Sequence, residues 1–593
     1  MDNKKVKRKI ELKLNKTSIL KEIGVEKDVH GIRKTEFTRK IISLAKKILI
    51  DAEEIPYTTY TRYREFQRIG ERRGYETPYF LKRKKLTAAV ICAFFTKEDK
   101  YLDIVNDYLI DICEETTWVL PAHEFLKIDL CAAETGLMLA ETILLLNNRL
   151  PDEVIKRVKE EINKRIFIPY LKYHNEFFWF RGPRASNWNG VCNSSIGATF
   201  LHLEENKKRL SRAIRMVLKA LKIFINSAFE KDGGSTEGVG YWQYGLINYV
   251  VFAELLRKRT RGKIDLLSSD RMKAVVSYPI NMMLSPGLFA NFADCSDKVS
   301  FHRGIITKLA ERTKTPELLF LLSNNNISYN LLSLPIVLRD IFWCNGSSKP
   351  KKRDFYIVNK NAYLPSTQVV KLVSKTLSGK VVILVVKAGH NLENHNHNDI
   401  GSFIIHVNGE TFLSDPGGGL YSKSYFSPLR YKNIFANSFG HNLPVIDGHL
   451  QQAGKKFRGK IIAYEPNMKR VTIEFGKAYG LSNLKSIRRI LYFQEETNDV
   501  VLKDIFKFKK PMKIQEAFVT WLPVKCVGKK AYIIGKKDKL ELIVDEPAGV
   551  KFFVKKLEKE CKENAKTGLL RRIYFNIPSR SKEVCVSIKM KII

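Results

Sequence analysis

The spacing of hydrophobic residues changes once along this 593-residue chain and divides it into two parts of different fold class. Over the first 340 or so residues, apolar side chains recur every three or four positions, the period of amphipathic helices. Ile41, Ala45 and Ile48 form one such stripe. Similar stretches recur at 85–97, 101–113, 124–147, 152–166, 207–228 and 241–258. Because each helix needs a neighbour to cover its stripe, successive helices with short links predict a helical array or toroid.

Beyond a polar, turn-rich segment at 344–353, the pattern becomes that of β-strands. Short β-branched or aromatic runs are separated by turn residues such as Asn408-Gly409; they lie at 381–386, 402–407, 460–463 and 488–493. We therefore predict an α+β multidomain chain, with a basic N-terminal segment at 1–30, an (α/α) toroid at 31–345 and an antiparallel β-sandwich at 355–593. This order disfavours a βαβ nucleotide-binding fold.

The chain carries 102 Lys and Arg against 62 Asp and Glu, a formal net charge of +40. Such an excess suggests an acidic partner, which includes nucleic acid, an anionic membrane surface or an acidic polysaccharide. Biased genome composition can also contribute surface lysines. The sequence has no helix-turn-helix, zinc-finger or RNA-binding signature, so we predict no specific nucleic-acid partner.

The sequence also limits the cellular context. No apolar signal-peptide core follows the basic residues of 1–10, and the most apolar stretch, 130–147, is interrupted by Glu134 and Glu141. The nine cysteines are scattered without a CxxC pair, which is typical of reduced core thiols. We expect a cytoplasmic protein without a membrane span, and the sequence leaves homo-oligomerisation open.

Six of the 11 histidines fall between residues 390 and 449. His395 and His397 alternate in an apparently extended segment, so we expect their imidazoles to share one side. Asp415 follows the next predicted strand, and His441 supplies a further imidazole. Two imidazoles with a carboxylate suit Zn²⁺. The alternative is a set of surface or hydrogen-bonded core histidines, but their density beside Asn, Asp and Gly favours a site.

The remaining histidines of this region are assigned differently. His406 lies in an alternating strand pattern, so we expect it to be structural. His390 and His449 are left undecided.

Two segments of the helical part are unusually rich in polar and aromatic residues. In the first, the amides of Asn187, Asn189 and Asn193 could hydrogen-bond a carboxylate or sugar hydroxyls, and Trp188 could stack on a sugar face.

The second polar segment runs from residue 232 to 245. Its Tyr241 and Tyr244 are three apart, so they share a face if a helix begins there. A tyrosine hydroxyl can act as general acid or base once nearby cations lower its pKa. Ordinary helix-start chemistry, with Glu237 and the glycines as caps, is an equally good reading of this segment.

Together these motifs resemble those of the heparinase II/III-like polysaccharide lyases. The segments that carry the resemblance are 117–123, Asn187–Asn193, Glu237–Gly245, His395–Phe403, Phe412–Gly417, Arg430 and Ser438–Asn442, and they follow the family's order. The resemblance implies an N-terminal (α/α) toroid, a C-terminal antiparallel β-sandwich, a zinc ion in the β-domain and β-elimination of uronic-acid polysaccharides such as heparan sulfate.

The resemblance also assigns roles to residues. The positions that match its metal ligands are His397, Asp415 and His441. His395 matches the catalytic histidine, and Tyr244 matches the catalytic tyrosine better than Tyr241. Asn189 and Asn193 match positions that neutralise the substrate carboxylate, where some members have His and Glu. The residues expected to bind substrate are Asn187, Trp188, Glu237, Tyr241 and Arg430.

Two functions are therefore compared below. The first is a lyase acting on acidic glycans, with the +40 charge favouring a polyanionic sugar chain. The alternative is a non-catalytic acidic-polysaccharide-binding protein that retains the lyase fold.

Overall fold

The computed structural model describes residues 19–23, 29–51, 54–177, 179, 186–323, 331–344, 359–577 and 581–593. Most of the predicted basic N-terminal segment and nearly all of the predicted boundary at 344–353 lie outside these residues. The chain divides into two compact units. The first comprises 1–229, 242–276 and 300–349, and the second comprises 230–241, 277–299 and 350–593.

The first unit is helical. The α-helices of the chain are α1 (Ile19–Ile23), α2 (Val29–Arg33), α3 (Glu36–Ile48), α4 (Tyr60–Ile69), α5 (Arg73–Thr96), α6 (Lys100–Glu114), α7 (Leu130–Leu146), α8 (Asp152–Ile162), α9 (Ile168–Tyr173), α10 (Asn187–Leu203), α11 (Lys207–Ser227), α12 (Val239–Arg259), α13 (Asp270–Met282), α14 (Arg303–Thr313), α15 (Leu334–Phe342) and α16 (Glu558–Glu563). Every helical stretch predicted from the hydrophobic period overlaps one of these helices.

The helices of the first unit are of two kinds. The amphipathic α3, α8 and α11 bury one face, whereas α7 and α10 are buried around most of their circumference. An amphipathic helix covers a neighbour with its apolar stripe and leaves its charged face to water. Burial on most sides allows α7 to be apolar around most of its circumference, whereas α10 also buries polar side chains such as Asn189 and Asn193.

One stretch, Leu130–Arg149, is long and apolar enough to cross a membrane, and 72% of its most apolar window is buried inside the protein. Asp129 begins α7, accepting a hydrogen bond from the backbone N–H of Ala132 at 2.8 Å. A buried, capped helix is typical of a protein core, so this stretch is weak evidence for a membrane span.

The second unit is built from antiparallel strands. They are β1 (Met283–Ser285), β2 (Leu288–Phe289), β3 (Ala362–Leu364), β4 (Val369–Lys375), β5 (Val381–Lys387), β6 (Gly389–Asn391), β7 (Phe403–Val407), β8 (Glu410–Leu413), β9 (Val445–Ile446), β10 (Gly454–Glu465), β11 (Arg470–Glu474), β12 (Leu484–Phe493), β13 (Val500–Phe508), β14 (Ile514–Thr520), β15 (Val524–Val527), β16 (Lys530–Ile534), β17 (Lys539–Glu546), β18 (Phe553–Lys556), β19 (Arg571–Ile577) and β20 (Glu583–Ile592).

These strands form a nine-stranded sheet (β15-β16-β17-β20-β13-β12-β11-β10-β6), a five-stranded sheet (β3-β4-β5-β7-β8) and a four-stranded sheet (β18-β19-β14-β9), beside the β1-β2 hairpin. Leu384, Phe403, Leu491 and Phe506 are fully buried in one apolar core shared by the large sheets. The predicted fold class, a helical toroid followed by an antiparallel β-sandwich, is confirmed.

Turns and strand pairing in the β-unit determine where its polar loops lie. Asn408 and Gly409 both have positive φ and close the hairpin between β7 and β8, as predicted. Val386 at the end of β5 pairs with Phe403 at the start of β7. The intervening residues 387–402 therefore leave and rejoin the same sheet, and they carry the histidine motif.

Candidate active site and metal centre

Four buried side chains of the β-unit could hold a metal ion. They are His397, Asp399, Asp415 and His441, whose ligand atoms lie within 4.8 Å of one another. The first two come from the 387–402 loop, Asp415 follows β8, and His441 follows a short 3₁₀ turn at Ser438–Gly440. The predicted ligands are thus brought together, and Asp399 joins them.

The donor set fits a divalent metal. His397 Nδ1, His441 Nε2 and Asp399 Oδ2 are buried without a hydrogen-bond partner among the described residues. Buried polar atoms are rarely left unpaired, because each costs about 1–3 kcal/mol. Two imidazole nitrogens and a carboxylate oxygen are typical of zinc sites. The other Asp399 oxygen accepts from Lys387 Nζ at 2.6 Å, and Asp415 Oδ2 lies 3.1 Å from His441 Nδ1.

The backbone directly before His441 is packed tightly against another segment of the chain. A Cβ atom at Gly440 would stand 2.2 Å from the carbonyl oxygen of Ile434, so only glycine fits there. Behind the loop, the fully buried Arg489 donates to the carbonyls of Gly401 at 2.8 Å and Asn442 at 2.7 Å. This arginine therefore ties the end of the histidine loop to the residue after His441.

Asp294 is the centre of the polar network beside the metal cluster. Its Oδ1 lies 3.0 Å from His397 Nε2 and accepts from the Tyr425 hydroxyl at 2.6 Å. Its Oδ2 lies 3.0 Å from His395 Nδ1 and accepts from Arg430 Nη2 at 2.8 Å. Burial opposes ionisation of this carboxyl, but these hydrogen bonds and the Arg430 charge hold its pKa well below the usual range.

His395 lies in a turn, with φ of 54°, rather than in the extended segment expected from the sequence. The two imidazoles consequently occupy different sides of Asp294: His397 is fully buried, whereas the His395 side chain is 23% exposed. The hydroxyl of Tyr421 lies 3.1 Å from His395 Nδ1. One histidine of the motif thus belongs to the buried cluster and the other to a solvent-accessible edge.

Other predicted residues of the β-unit have defined partners. Arg430 is buried and also donates from Nε to the carbonyl of Asn396 at 3.0 Å. Glu237 accepts from Asn394 Nδ2 at 2.9 Å. These contacts brace the loop that carries His395, so both residues support the site in this structure.

The remaining histidines stand apart from the cluster. His406 is buried in β7 with Nδ1 3.0 Å from Thr411 Oγ1, and burial lowers its pKa to about 4. His390 pairs with Glu393, and His449 contacts the carbonyl of Asp447.

In the helical unit, Tyr244 lies against a carboxylate. Its side chain lines the same cavity as Glu134 of α7, which accepts a hydrogen bond from Asn248 Nδ2 at 2.9 Å. Burial and the nearby Glu134 charge raise the pKa of Tyr244 well above its ordinary value. Burial beside an acid acts on this pKa in the direction opposite to that of a nearby cation.

The asparagines of α10 form a buried pair one helical turn apart. Asn193 Nδ2 donates to the side-chain oxygen of Asn189 at 3.3 Å and to its carbonyl at 3.1 Å, and Asn193 Oδ1 accepts from the Tyr170 hydroxyl at 2.6 Å. Asn189 Nδ2 is buried without a partner among the described residues. Of the two amides, Asn189 has the free N–H donor and Asn193 holds it in place.

The neighbouring motif residues line the same region of the helical unit. The Cα of Asn187 lies 3.5 Å from where a Cβ on Gly245 would stand, so the helices α10 and α12 approach closely there. Trp188 is half-buried and meets the ring of His123 edge-on, with centroids 4.8 Å apart. His123 in turn lies 2.9 Å from Asp129, which links the 117–123 motif to the start of α7.

A cavity of about 430 Å³ opens between these helices. Its lining includes Tyr79, Arg83, Glu134, Tyr244, Asn248 and His302. Arg83 is neutralised by Glu115 through two hydrogen bonds of 2.8 and 2.6 Å, and His302 Nδ1 lies 2.9 Å from Asp340 Oδ2. Arg83 and His302 thus each face a carboxylate, whereas Glu134 has no ion-pair partner among the described residues.

Three functional candidates were missed by the sequence reasoning. Asp294 stands alone between Ala293 and Cys295 without any motif, and Glu134 was noted only as a charge that interrupts an apolar stretch. Asp399 lay within the recognised motif, where its position two residues after His397 was a usable signal.

Comparison with known proteins agrees with this architecture. Residues 364–590 match the family model described as Heparinase II/III-like, C-terminal. No curated protein sequence matches the chain. The matched stretch contains the whole metal cluster and His395.

Solved structures extend the likeness to the helical unit. A mutant heparan sulfate lyase from Pedobacter heparinus is similar with a TM-score of 0.63 at 12% identity, covering 99% of this chain and 87% of its own. A structure of heparinase III gives 0.65 at 13% identity, covering 97% and 89%. A mutant chondroitin AC lyase from Streptomyces coelicolor A3 gives 0.52 at 10% identity, covering 99% and 82%.

The fold and the C-terminal match therefore define the class of protein to which the chain is similar. Residues 364–590 match the heparinase II/III-like C-terminal family model, and the similar lyase structures cover 97–99% of the chain, which includes the helical unit. The resemblance inferred from the ordered motifs is confirmed.

Proposed function

We propose that this chain is a polysaccharide lyase that cleaves uronic-acid-containing glycans by β-elimination. The observation that carries the proposal is His395, held by Asp294 at a solvent-accessible edge beside a buried metal-type cluster, within a heparinase II/III-like domain. A fold alone does not establish an activity. The reactive groups retained on that fold are what favour a lyase over a glycan-binding protein.

The chemistry of β-elimination matches the groups available. The C5 proton of a uronic acid is weakly acidic, and its removal places negative charge on the adjacent carboxylate. The unpartnered N–H of Asn189 would donate to that carboxylate, with Asn193 fixing the amide. Preorganised donors of this kind stabilise developing charge by several kcal/mol, typically about 3–4 for one donor.

Tyr244 and His395 supply the acid–base groups. When the C5 proton and the O4 leaving group lie on one face of the sugar, Tyr244 serves both steps. When they lie on opposite faces, His395 takes the C5 proton and Tyr244 protonates O4. Both modes generate a product with a C4–C5 double bond.

We also propose that His397, Asp399, Asp415 and His441 hold Zn²⁺. Bound there, the ion would supply a fixed positive charge that locks the histidine loop, with a direct Lewis-acid role secondary. Asp294 would orient His397 from outside the cluster, since a histidine ligand commonly presents its other ring nitrogen to a carboxylate.

The substrate class proposed is an acidic glycan, with glycosaminoglycans such as heparan sulfate first among the candidates. The similar proteins include lyases named for heparan sulfate and chondroitin, and the net charge of +40 favours a polyanion.

The test is to incubate the protein, with Zn²⁺ supplied, with heparan sulfate, hyaluronan, chondroitin and alginate and to record the ultraviolet absorbance of the new double bond. We expect absorbance to grow with at least one glycan and to be absent with Tyr244→Phe. Retention of a glycan on the column without any absorbance from the whole panel would instead support the binding-protein alternative.

A further inference from the structure

Glu134 occupies an unusual position for an acidic residue. It lies in α7, whose other residues between 130 and 140 are apolar or small apart from Thr135, and its carboxylate meets α12 at Tyr244 and Asn248. The i, i+4 spacing of Tyr244 and Asn248 places both on one face of α12. Among the described residues, no lysine, arginine or histidine forms an ion pair with Glu134.

A second acid of the same helix, Glu141, provides a comparison, because it has the partners of a structural carboxylate. Glu141 is fully buried and is paired with Arg339 and with His202. Those contacts keep its pKa below the ordinary value despite burial. Glu134 has an amide and a phenol in place of cations and opens into the 430 Å³ cavity. Its surroundings therefore stabilise the charged form only weakly.

The electrostatic surroundings of Glu134 are mainly acidic or neutral. On its own helix are Asp129 and Cys131, and from α12 comes Tyr244. The other ionisable groups lining the cavity are Tyr79, Arg83 and His302, the last two paired with Glu115 and Asp340. Burial, reinforced by the charge of Asp129, raises the pKa of Glu134 to about 7.

Tyr244 needs a proton partner if it is to act as a base. Its own pKa lies well above the ordinary value, so few phenolates exist at neutral pH. Glu134 lines the same cavity beside Tyr244, and a neighbouring group that exchanges protons near neutrality removes this obstacle. Efficient acid–base catalysis requires a pKa near the working pH.

We propose that Glu134 is the proton partner of Tyr244, a role that rests on the proposed lyase function. The carboxylate of Glu134 accepts the phenolic proton while the Tyr244 oxygen takes the C5 proton, and the C5–H electron pair moves toward the uronate carboxylate. As the C4–O4 bond breaks, Tyr244 gives its proton to O4 and Glu134 returns its own to the phenolate. The substrate proton has then moved from C5 to O4, and both residues are restored.

Glu134 also has a role when His395 is the base. Tyr244 then loses its proton to O4 and regains one from Glu134, which must be protonated at that moment. Glu134 does not touch the substrate in either mode. It is a positioning residue that acts through Tyr244.

The first experiment replaces the carboxyl with an isosteric amide in the full chain. We expect Glu134→Gln to lower kcat about 10²–10⁴-fold, the usual contribution of a proton-transfer group, with little change in KM. Titration of Glu134 should give the wild-type profile of kcat against pH a limb near pH 7, and this limb should disappear in the variant. The matched control is Glu141→Gln on the same helix, which should lower the melting temperature and leave the position of that limb unchanged.

The second experiment moves the pKa instead of removing the group. Asn248 favours the ionised form of Glu134, so Asn248→Ala should raise the pKa of Glu134 and move the limb to higher pH. This variant decides the matter if Glu134→Gln does not fold. An unshifted limb in Asn248→Ala, or a wild-type kcat and profile in folded Glu134→Gln, overturns the role of Glu134. A wild-type protein inactive on every glycan overturns the lyase function itself, which is a distinct result.

Discussion

The phenol ring of Tyr241 lies against the imidazole of His395, with centroids 4.3 Å apart and 24° between the ring planes. Its hydroxyl is 2.6 Å from that of Tyr421 and 3.5 Å from His395 Nδ1. Tyr244, three residues along the same helix, has Glu134 and Asn248 as neighbours. The two tyrosines of one motif thus have different chemical surroundings, and mutation should separate their roles.

Removing the Tyr244 hydroxyl should abolish turnover. We expect Tyr244→Phe to lower kcat by at least about 10³-fold, because the proton-transfer group is lost, while the circular dichroism spectrum stays that of the wild type. Tyr241→Phe is the matched control. It should cost about tenfold or less, since it removes only a hydroxyl that contacts Tyr421 and His395. The reverse ranking in the absorbance assay would transfer the acid–base role to Tyr241.

The metal ligands can be tested independently of activity. His397→Ala should release the bound metal and lower the melting temperature, because an ion that binds only the folded state stabilises it. His449→Ala, at an exposed histidine, should keep the wild-type metal content. Elemental analysis and thermal unfolding with and without a chelator provide the measurement. Unchanged metal content in His397→Ala would remove this residue from the ligand set.

The extent to which the sequence predicted the site depends on whether the contacts were local. His397, Asp415 and His441 belong to motifs with a recognisable order, and the β-strands that carry them have clear patterns. Asp294 was missed because it meets the histidine loop only through tertiary folding and has no motif of its own. The turn at His395 was missed because alternation of histidines was read as a strand, although Asn, Asp and Gly around it favour turns.

The same limit applies to the helical unit. The hydrophobic period located its helices well, because burial on one face is written directly into the sequence. A tyrosine becomes a better acid–base group when nearby cations lower its pKa, but burial and the Glu134 charge raise the pKa of Tyr244. Which charge faces a tyrosine depends on helix packing, and a single helix does not contain that information.

Asp294 should matter to both histidines. Asp294→Asn keeps the side-chain shape but removes the charge that faces Arg430 and His397. We expect zinc affinity to fall about 10–100-fold, the usual effect of losing a carboxylate behind a metal-bound histidine. Isothermal titration with Zn²⁺ measures this. Wild-type affinity in the variant would show that Asp294 serves only the packing of the loop.

The buried arginine behind the loop should be essential to stability. Arg489 is paired with Asp504 at 2.6 Å and with Glu516 at 3.1 Å, and all three are fully buried. Arg489→Met should lower the free energy of unfolding by about 3–5 kcal/mol, because it removes the ion-pair partner of the buried Asp504. Arg470→Met, which breaks a more exposed pair with Glu465, should have a much smaller effect because water screens that pair. Urea unfolding of both variants tests the contrast.

The close approach of α10 and α12 offers the last test, because these helices carry Asn189 and Tyr244. A Cβ atom on Gly190 would stand 2.6 Å from the carbonyl oxygen of Gly245 and 2.6 Å from the Phe224 ring. Gly190→Ala should therefore push the helices apart, costing about 1–3 kcal/mol of stability and lowering kcat as the amide and phenol separate.

The control for this variant is Gly240→Ala, in α12, where the nearest atom to a new Cβ is Cys295 Sγ at 3.9 Å. That is ordinary contact, so stability should change by no more than about 0.5 kcal/mol. Thermal unfolding and kcat are measured for both alanine variants. Equal, small effects at the two glycines would show that the helices tolerate a wider spacing and that the site does not depend on their close contact.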